Sequence, residues 1–255
     1  MPYVDFSLNG KVALVTGGSR GIGEAIAHGL AEQGATVVIS SRKQEGLDKA
    51  AAAINEAGGG KCIPIASHAG KPEEIAALFD RIKSEVGNVD ILVNNAATNP
   101  FFGPAADMPE SAFDKTVEVN IKGYFIYMQH AAKHMREQGG GSIINIASIA
   151  GIRPGPNEVT YAMTKAAVLN MTKGFAKELG PDNIRVNAIA PGVVETYFAA
   201  VLVETEEKRN AISSRTPLRR YAQPNEIAGA AVYFASEASS YATGATIVLD
   251  GGSSA

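Results

Sequence analysis

Thr16-Gly17-Gly18-Ser19-Arg20-Gly21-Ile22-Gly23 is the stretch that decides the fold, because it joins a β-branched run to an Ala-rich segment of helical length. The preceding run has the composition of a buried strand, and the following segment carries apolar residues at three- and four-residue spacing. The three glycines at positions 17, 21 and 23 let the backbone approach a pyrophosphate, and the N-terminus of a helix supplies N–H donors. The stretch therefore predicts a dinucleotide-binding strand-turn-helix unit.

The alternation of strand and helix continues to the C-terminus. Strands that alternate with helices require a parallel sheet covered on both faces, so the predicted fold class is α/β: a doubly wound seven-stranded parallel sheet, or Rossmann fold. The predicted strands are Val12–Thr16, Thr36–Ile39, Cys62–Ala66, Ile91–Asn94, Ser142–Ala147, Arg185–Ala190 and Thr246–Leu249. The predicted helices are Gly21–Gln33, Gln44–Ala57, Pro72–Val86, Glu110–Gln138, Val159–Leu179 and Pro224–Ser236.

The chain is expected to form a single domain over residues 1–255, for both dinucleotide binding and catalysis. Its 255 residues are 45% hydrophobic and 19% charged, which is ordinary globular composition, and no Pro- or Ser-rich linker divides them. The long polar segment at about 196–220 falls between the sixth strand and the last helix. It predicts a substrate lid beyond the carboxyl ends of the strands, where ligands of such sheets bind.

Charge and composition argue against several classes of function. The net charge is −3 with no basic cluster, so no nucleic-acid partner is expected. No apolar run reaches the ~18 residues of a membrane span, and the N-terminus does not resemble a secretion signal, so a cytoplasmic protein is expected. Cys62 is the single cysteine. His130 and His134 have helical metal-pair spacing but no intervening Glu, so we expect exposed helix residues and no metal.

The end of the second strand predicts which nicotinamide cofactor is bound. It reads Ile39-Ser40-Ser41-Arg42-Lys43 and lacks the acidic residue that would bind the ribose hydroxyls and exclude a 2′-phosphate. Hydroxyls and a guanidinium, joined by Arg20 from the glycine loop, suit a phosphate and predict NADP(H). The alternative is that Arg42 and Lys43 are only the solvated start of the next helix.

A candidate catalytic pair lies in the fifth predicted helix. Tyr161 and Lys165 are four residues apart, so they share one helical face and the cation can favour the phenolate. The spacing alone is a weak signal, but Ser148 follows the strand ending at Ala147, at the sheet edge where the glycine loop also lies.

Over essentially its full length the chain resembles the short-chain dehydrogenase/reductase family, in its shorter single-domain branch. Ser40 to Gln44 and Asn99-Pro100-Phe101-Phe102-Gly103 look most similar to the NADPH-dependent carbonyl and retinal reductases; 3-oxoacyl-carrier-protein reductases are a second near match. Beyond the glycine loop and Ser-Tyr-Lys, the motifs are Asn94-Asn95-Ala96-Ala97, Asn120, Pro191-Gly192-Val193-Val194-Glu195-Thr196, Gly244 and Asp250-Gly251-Gly252. The family's Asn-Asn-Ala-Gly ends here in Ala97.

The resemblance implies roles for individual residues. Tyr161 would be the general acid in reduction, with its pKa lowered from about 10 by Lys165 and by the positive nicotinamide. Ser148 would bind the substrate oxygen, Lys165 the nicotinamide ribose, and Asn120 a proton-carrying water. His68 stands where many members have an Asp that touches adenine. The implied cofactor-binding residues are Gly17, Ser19, Arg20, Gly21, Ile22, Ser41, Arg42, His68, Asn95, Ala96, Tyr161, Lys165, Pro191, Gly192, Val194 and Thr196.

The resulting hypothesis is an oxidoreductase that transfers hydride between NADP(H) and a small carbonyl or alcohol substrate. The alternatives are a 3-oxoacyl-carrier-protein reductase, an NADPH-sensing regulatory protein on the same fold, and a dehydratase or epimerase of the longer branch, which the glycine spacing and short C-terminus disfavour. Four aromatic residues flank the expected mouth, either as an apolar substrate wall or as lid packing: Phe101, Phe102, Tyr197 and Phe198.

A homotetramer is expected, partly from the resemblance. The helices Glu110–Gln138 and Val159–Leu179 carry more apolar or small positions than one sheet face can cover, and the strand Ala245–Leu249 would be an exposed edge. Two two-fold contacts would cover both surfaces, and Leu169→Asp is expected to weaken assembly and activity together. The positions taken as outward-facing are Phe125, Met128, Ala132, Ala166, Leu169 and Phe175.

Overall fold

Seven parallel strands form the centre of the molecule, which was analysed as a computed structural model describing residues 3–197 and 205–255. They lie in the order β3-β2-β1-β4-β5-β6-β7, so the connections leave the central strand β1 in opposite directions along the sheet. The strands are β1 (Val12–Thr16), β2 (Thr36–Ser41), β3 (Cys62–Ala66), β4 (Ile91–Asn94), β5 (Gly141–Ile146), β6 (Ile184–Pro191) and β7 (Thr246–Leu249). Ligands of such sheets bind at this switch point, at the carboxyl ends of β1 and β4.

Helices cover both faces of the sheet. One face packs on α1, α2 and α8, and the other packs on α3, α5 and α6. The helices among the described residues are α1 (Gly21–Glu32), α2 (Gln44–Ala57), α3 (Pro72–Glu85), α4 (Glu110–Val117), α5 (Tyr124–Glu137), α6 (Val159–Leu179), α7 (Glu206–Arg215) and α8 (Asn225–Ala235). The doubly wound α/β prediction is confirmed.

Burial along β1 shows why the sequence folds into a doubly covered sheet. Ala13 and Val15 pack into one core, whereas Leu14 between them packs into the other, and none of the three has measurable exposure. Because successive side chains point to opposite faces of a strand, an unbroken apolar run fits only a sheet that is buried on both sides.

The predicted helix Glu110–Gln138 is wrong as a single regular element. Residues Glu118–Gly123 form a π-helical segment between α4 and α5. Gly123 lies so close to the carbonyl oxygen of Ala69 that no β-carbon would fit there, and the buried amide of Asn120 bonds outside the helix. Such bulges interrupt the regular hydrogen-bond ladder and frequently occur at functional sites.

The predicted lid at 196–220 contains a helix, α7, that the sequence analysis did not expect. The residues that directly follow α7 form hydrogen bonds with the last residues of the chain. Leu218 N donates to Gly251 O at 3.2 Å, and the Thr216 and Ser253 hydroxyls lie 3.1 Å apart. Part of the lid, including Phe198, lies outside the described residues.

The two histidines of α5 are not exposed as predicted. His134 is buried, its ring packs edge-on against Phe79 at 5.2 Å, and its Nδ1 accepts from Val89 N at 3.3 Å. His130 is half-buried and stacks on the same Phe79 ring at 5.3 Å. Both therefore belong to the packing between α3 and α5. Within residues 3–197 and 205–255, no group of three or more His, Cys, Asp or Glu side chains could hold a metal ion.

Met128 and Ala132 are likewise not outward-facing. Both are buried in the core between α5 and the sheet, so packing within one protomer already covers them. Phe125 remains 42% exposed and meets Phe175 of α6 edge-to-face at 5.3 Å. A search of the described residues finds no helix with the length and apolar character needed to cross a membrane.

Candidate active site

The glycine loop lies where β1 meets α1 at the switch point of the sheet. Gly17 and Gly21 have φ of 69° and 60°, the left-handed region that favours glycine. The amides of Gly17 and Gly18 donate to Ser40 O at 2.6 and 3.2 Å, which fastens the loop to the end of β2. A β-carbon on Gly21 would lie 3.2 Å from Thr196 Cγ2, so the loop also borders the segment after β6.

Asn95 connects this loop to β4. Its Nδ2 donates to Thr16 O at 2.9 Å and to Gly17 O at 3.3 Å, and its backbone N–H donates to the Thr16 hydroxyl at 2.9 Å. The Ala96 amide donates to the same hydroxyl at 3.0 Å. Asn95 and Ala96 therefore hold the carboxyl ends of β1 and β4 together beneath the loop.

Charged side chains of both signs surround His68 at the ends of β2 and β3, with Glu74 accepting from His68 N at 2.7 Å and Lys115 paired with Glu118 at 3.1 Å. His68 Nε2 lies 3.3 Å from Lys115 Nζ, and Nδ1 accepts from Gly70 N at 3.0 Å. Burial lowers the pKa of His68, and the positive charges of Lys115 and Arg42 lower it further. A neutral imidazole and an exposed guanidinium thus meet where adenosine and a 2′-phosphate are expected.

Arg20 lies differently from the expectation that it converges with Arg42. Its guanidinium carbon is 4.4 Å from the ring centroid of Tyr197, in a cation–π contact with the start of the lid. Ser19 and Ile22 of the same loop are partly exposed, as is Ser41 at the end of β2.

The segment after β6 forms the opposite wall. Gly192 N donates to Leu249 O at 2.9 Å, and a β-carbon on Gly192 would lie 2.9 Å from Asp250 Cα. Val194 is buried and pairs with Ala222 in a parallel bridge, which fixes the chain between Pro191 and Thr196 beside the glycine loop.

Ser148, Tyr161 and Lys165 meet at the carboxyl end of β5. Ser148 follows the strand, its Oγ accepts from Ala150 N at 3.1 Å, and its hydroxyl lies close enough to influence the phenol of Tyr161. Lys165 is only 1% exposed, and its Nζ lies 5.6 Å from the Tyr161 ring centroid. Gly151 lets the chain after Ser148 approach the backbone of α6, because a β-carbon there would lie 2.6 Å from Lys165 C.

The protein's own groups shift the pKa of Tyr161 opposite to the expected direction. Burial raises the pKa of Tyr161 above its usual value, and the nearby Ser148 hydroxyl lowers it only in part. Burial also lowers the pKa of Lys165 to about 7, so part of the lysine is uncharged near neutral pH. The polypeptide by itself does not produce the lowering of the Tyr161 pKa that is expected from Lys165 and the nicotinamide together, because desolvation disfavours both charged forms.

Asn120 is fully buried in the π-helical segment and joins two parts of the site. Its Oδ1 accepts from Thr98 N at 2.8 Å, and its Nδ2 donates to Thr98 O at 2.9 Å and to Thr164 Oγ1 at 3.2 Å. Thr164 directly precedes Lys165. Asn120 thus connects the loop after β4 with the helix that carries the Tyr-Lys pair.

Tyr124 was missed by the sequence analysis, although it lies at the centre of this cluster. It is 2% exposed, and its hydroxyl donates to Ile146 O at 3.1 Å. Its own phenol oxygen, Oη, lies 3.5 Å from Lys165 Nζ. The one available signal was its position four residues after Asn120, which is weak without knowledge of the intervening π-helical turn.

Comparisons with known proteins agree with this geometry. The sequence pattern of the family described as "Enoyl-(Acyl carrier protein) reductase" matches residues 17–254. Human "Dehydrogenase/reductase SDR family member 4" is 41% identical over 245 residues, covering 96% of this chain and 88% of that protein.

Two solved structures show the similarity of fold. The gluconate 5-dehydrogenase of Burkholderia cenocepacia, in complex with NADP and tartrate, superposes with a TM-score of 0.91 at 35% identity, covering 97% of this chain and 96% of the other. A 7α-hydroxysteroid dehydrogenase complexed with NADH and 7-oxo glycochenodeoxycholic acid gives 0.93 at 35% identity, with 99% and 97% covered.

Proposed function

The chain belongs to the short-chain dehydrogenase/reductase family of oxidoreductases, and from that membership we propose that it transfers hydride between NADP(H) and a ketone, aldehyde or secondary alcohol. The observation that carries the proposal is that the hydroxyls of Ser148 and Tyr161 lie close enough to influence each other, beside the buried Lys165. The pair faces the same sheet edge as the glycine loop, so a carbonyl and a nicotinamide can meet there.

The residues at this edge fit a dinucleotide. The loop Gly17–Gly21 has left-handed glycines and borders the N-terminus of α1, which offers N–H donors to a pyrophosphate. Gly21 leaves open the space against Thr196 that a side chain would fill. Arg42 and His68 would hold the adenosine end, Asn95 and Ala96 the middle, and the segment from Pro191 to Thr196 the nicotinamide end.

NADPH would supply the hydride, and the protein's own groups would manage the proton and the carbonyl oxygen. Ser148 Oγ donates a hydrogen bond to the carbonyl oxygen and orients it. Tyr161 donates its proton to the same oxygen as negative charge develops there. Lys165 would hold the ribose hydroxyls, and its ammonium together with the charge of the oxidised nicotinamide would provide the lowering of the Tyr161 pKa that the polypeptide alone lacks. Asn120 supports the path by which Tyr161 regains a proton.

NADP(H) rather than NAD(H) is proposed from the charge around the end of β2. Arg42 is exposed there and no carboxylate follows the strand within Ser41–Lys43, whereas the nearby Lys115 is already paired with Glu118 at 3.1 Å. A guanidinium favours a 2′-phosphate by a charge-assisted hydrogen bond. The two solved relatives bind NADP in one case and NADH in the other, so the residues of this chain carry the argument.

The substrate is proposed to be apolar around its carbonyl. Four apolar side chains are exposed in the segments after β4 and β5, at the start of α6 and after α7, and exposed apolar side chains beside a site are candidates for a substrate wall. They are Phe102, Ile152, Val159 and Leu218. Phe101 and Gly103 pack instead against residues 157–160, so Phe101 lies in loop packing and Phe102 is the better candidate for a substrate wall.

A homotetramer is part of the proposal. Phe125 and Met163 are both 42% exposed on α5 and α6, and Phe113 of α4 is 41% exposed. A protomer alone leaves these side chains in water, and pairing of the same face around a two-fold axis would cover them. The outer strand β7, whose Val248 is 39% exposed, would be covered by a second such axis.

The experiment that tests the function is an assay of purified protein with NADPH and with NADH against ketones, diketones, aldehydes and acyl thioesters. NADPH-dependent reduction of free carbonyls supports the proposal. Strong preference for 3-oxoacyl thioesters on acyl-carrier protein would instead favour a 3-oxoacyl reductase. Reduction of enoyl thioesters would favour the activity that the family description matching residues 17–254 names. Tight NADPH binding without turnover on any carbonyl would favour a cofactor-sensing protein.

A further inference from the structure

We propose that Tyr124 is a positioning residue for Lys165: its phenol oxygen and ring hold the lysine ammonium next to the carbonyl oxygen of Ile146, where the ammonium serves Tyr161. The inference rests on the proposed function and adds a residue to the Asn120, Ser148, Tyr161 and Lys165 set. The positions of those four residues in the sequence do not predict that a second buried phenol, Tyr124, contacts the lysine.

The contacts around the lysine carry the proposal. Lys165 Nζ donates to Ile146 O at 2.7 Å and lies 3.5 Å from Tyr124 Oη, whose own hydroxyl donates to the same carbonyl at 3.1 Å. The three polar atoms therefore form a small triangle at the end of β5. Nζ also lies 5.3 Å from the centroid of the Tyr124 ring, within the range of a cation–π contact.

The orientation of the phenol determines what it can do. Because its O–H bond is directed at Ile146 O, the lone pairs of the phenol oxygen remain free to accept a hydrogen from the lysine ammonium. Burial raises the pKa of Tyr124 well above its usual value, so the group stays a neutral phenol and keeps this arrangement. Such an acceptor stabilises the charged lysine more than the neutral amine.

The other side chains around Tyr124 offer the Lys165 ammonium few further hydrogen-bond acceptors. The side chains packed with Tyr124 are Ala147, Val168 and Ala190, which are apolar and fully or almost fully buried. The titratable groups facing Lys165 are Tyr124 from α5 and Tyr161 from its own helix, while Glu158 acts on Tyr161. Loss of the Tyr124 hydroxyl would remove an acceptor from a charge that burial already disfavours.

The test is the pH dependence of NADPH binding, measured by NADPH fluorescence between about pH 6 and 9, with kcat/KM followed over the same range. The variant is Tyr124→Phe, which removes one oxygen and keeps the ring. The matched control is Tyr127→Phe, because Tyr127 is as deeply buried on the same helix but packs in the core shared with α3.

With the hydroxyl gone, Lys165 loses its proton at a lower pH. We expect the alkaline loss of NADPH affinity in Tyr124→Phe to move down by at least about 0.5 pH unit, together with the alkaline limb of kcat/KM. Tyr127→Phe is expected to keep the wild-type midpoint. Tyr124→Met also lacks the hydroxyl and packs adaptably, so it takes the place of the Phe variant if that protein does not fold.

The inference would be overturned if wild type and Tyr124→Phe lost NADPH affinity at the same pH midpoint. It would also be overturned if Tyr124→Phe and Tyr127→Phe shifted that midpoint equally, because a general loss of packing would then explain both shifts. The proposed function fails separately, when the wild-type protein binds NADPH but turns over no carbonyl. In that case the midpoint of binding still decides the role of Tyr124. A wild-type protein that does not bind NADPH would overturn both proposals.

Discussion

The side-chain amide of Asn120 pairs in both directions with the backbone of Thr98, accepting from its N–H at 2.8 Å and donating to its carbonyl at 2.9 Å. A residue in the π-helical segment thereby satisfies both backbone groups of a loop residue that follows β4. This pairing keeps the loop, the bulged helix and α6 in one arrangement around the candidate site.

Asn120→Ala is expected to destabilise the protein and to lower its activity. The substitution leaves two backbone groups of Thr98 without their partner, and each unsatisfied buried group costs about 1–3 kcal/mol. Urea unfolding measures the loss. Thr164→Val removes the third bond of the amide and the bond that Thr164 Oγ1 donates to Tyr161 O, but it keeps both Thr98 bonds, so it should cost less than Asn120→Ala. An Asn120→Ala protein as stable as the wild type would contradict this account of the π-helical segment.

Tyr161→Phe is expected to lower kcat by about 10²-fold or more, because the proton for the carbonyl oxygen would have no donor at that position. The affinity for NADPH, followed by its fluorescence, should change little. Since the substitution removes one oxygen from a helix residue, stability should also be close to wild type. Near-normal turnover would rule out Tyr161 as the general acid.

Arg42→Asp is expected to weaken NADPH binding by at least about 1.5–3 kcal/mol, the contribution of one charged hydrogen bond, and to improve the relative use of NADH. Arg81→Asp makes the same change of net charge on the exposed surface of α3 and serves as the control. The ratio of kcat/KM values for NADPH and NADH is the measurement. An unchanged ratio in Arg42→Asp would locate the phosphate site elsewhere.

Phe125→Asp is expected to shift assembly from a tetramer toward smaller species. Phe125 is exposed in the protomer, so a charge there leaves the core intact and acts on contacts between copies. Phe6→Asp, at an N-terminal side chain of similar exposure, is the control. Light scattering gives the mass; a wild-type monomer near 26.5 kDa with full activity would refute the tetramer.

Stability is expected to fall as the pH drops below about 6.5, the pKa of histidine in the unfolded chain. Burial lowers the pKa of His134 in the folded protein, with further lowering by Lys83. Between that lowered pKa and 6.5 the unfolded chain binds more protons, so acid favours unfolding. The contribution of His134 to the free energy of unfolding is complete above pH 6.5, and it is lost as the pH falls toward the pKa of His134 in the folded protein.

His134→Gln tests this dependence. The amide can still accept from Val89 N but does not titrate, so the slope of unfolding free energy between about pH 7.5 and 5.5 should become smaller. His68 and His130 have lowered pKa values as well, so some slope should remain. An identical slope in the variant and the wild type would show that His134 does not contribute.

The periodicities predicted the sheet closely. Four of the seven strands, including Val12–Thr16 and Thr246–Leu249, begin and end where they were expected, and the others differ by one or two residues at an end. The glycine loop was found because left-handed glycines and a helix N-terminus leave a local pattern. Local patterns did not reveal the π-helical segment, since its cause is the approach of Gly123 to Ala69, more than fifty residues earlier in the chain.

The burial and charge environment of each candidate residue was harder to predict from the sequence than its identity. Tyr161 and Lys165 were predicted from their spacing together with Ser148 and the family resemblance. The directions of their pKa shifts come from burial, which depends on what packs over them. The same holds for His134, expected to be exposed from its helix position and buried against Phe79 of another helix.

The sequence by itself determined the α/β fold and the glycine loop, because both depend on residue types at short spacing, and it predicted the Ser-Tyr-Lys set through the resemblance to a known family. Only the tertiary structure decided that the Asn120 side chain hydrogen-bonds the Thr98 backbone and that Tyr124 and Lys165 both donate to the carbonyl of Ile146. Those contacts join residues 19 to 41 positions apart. The parallel sheet brings such distant segments together at its carboxyl edge, and no local pattern records which side chains will meet there.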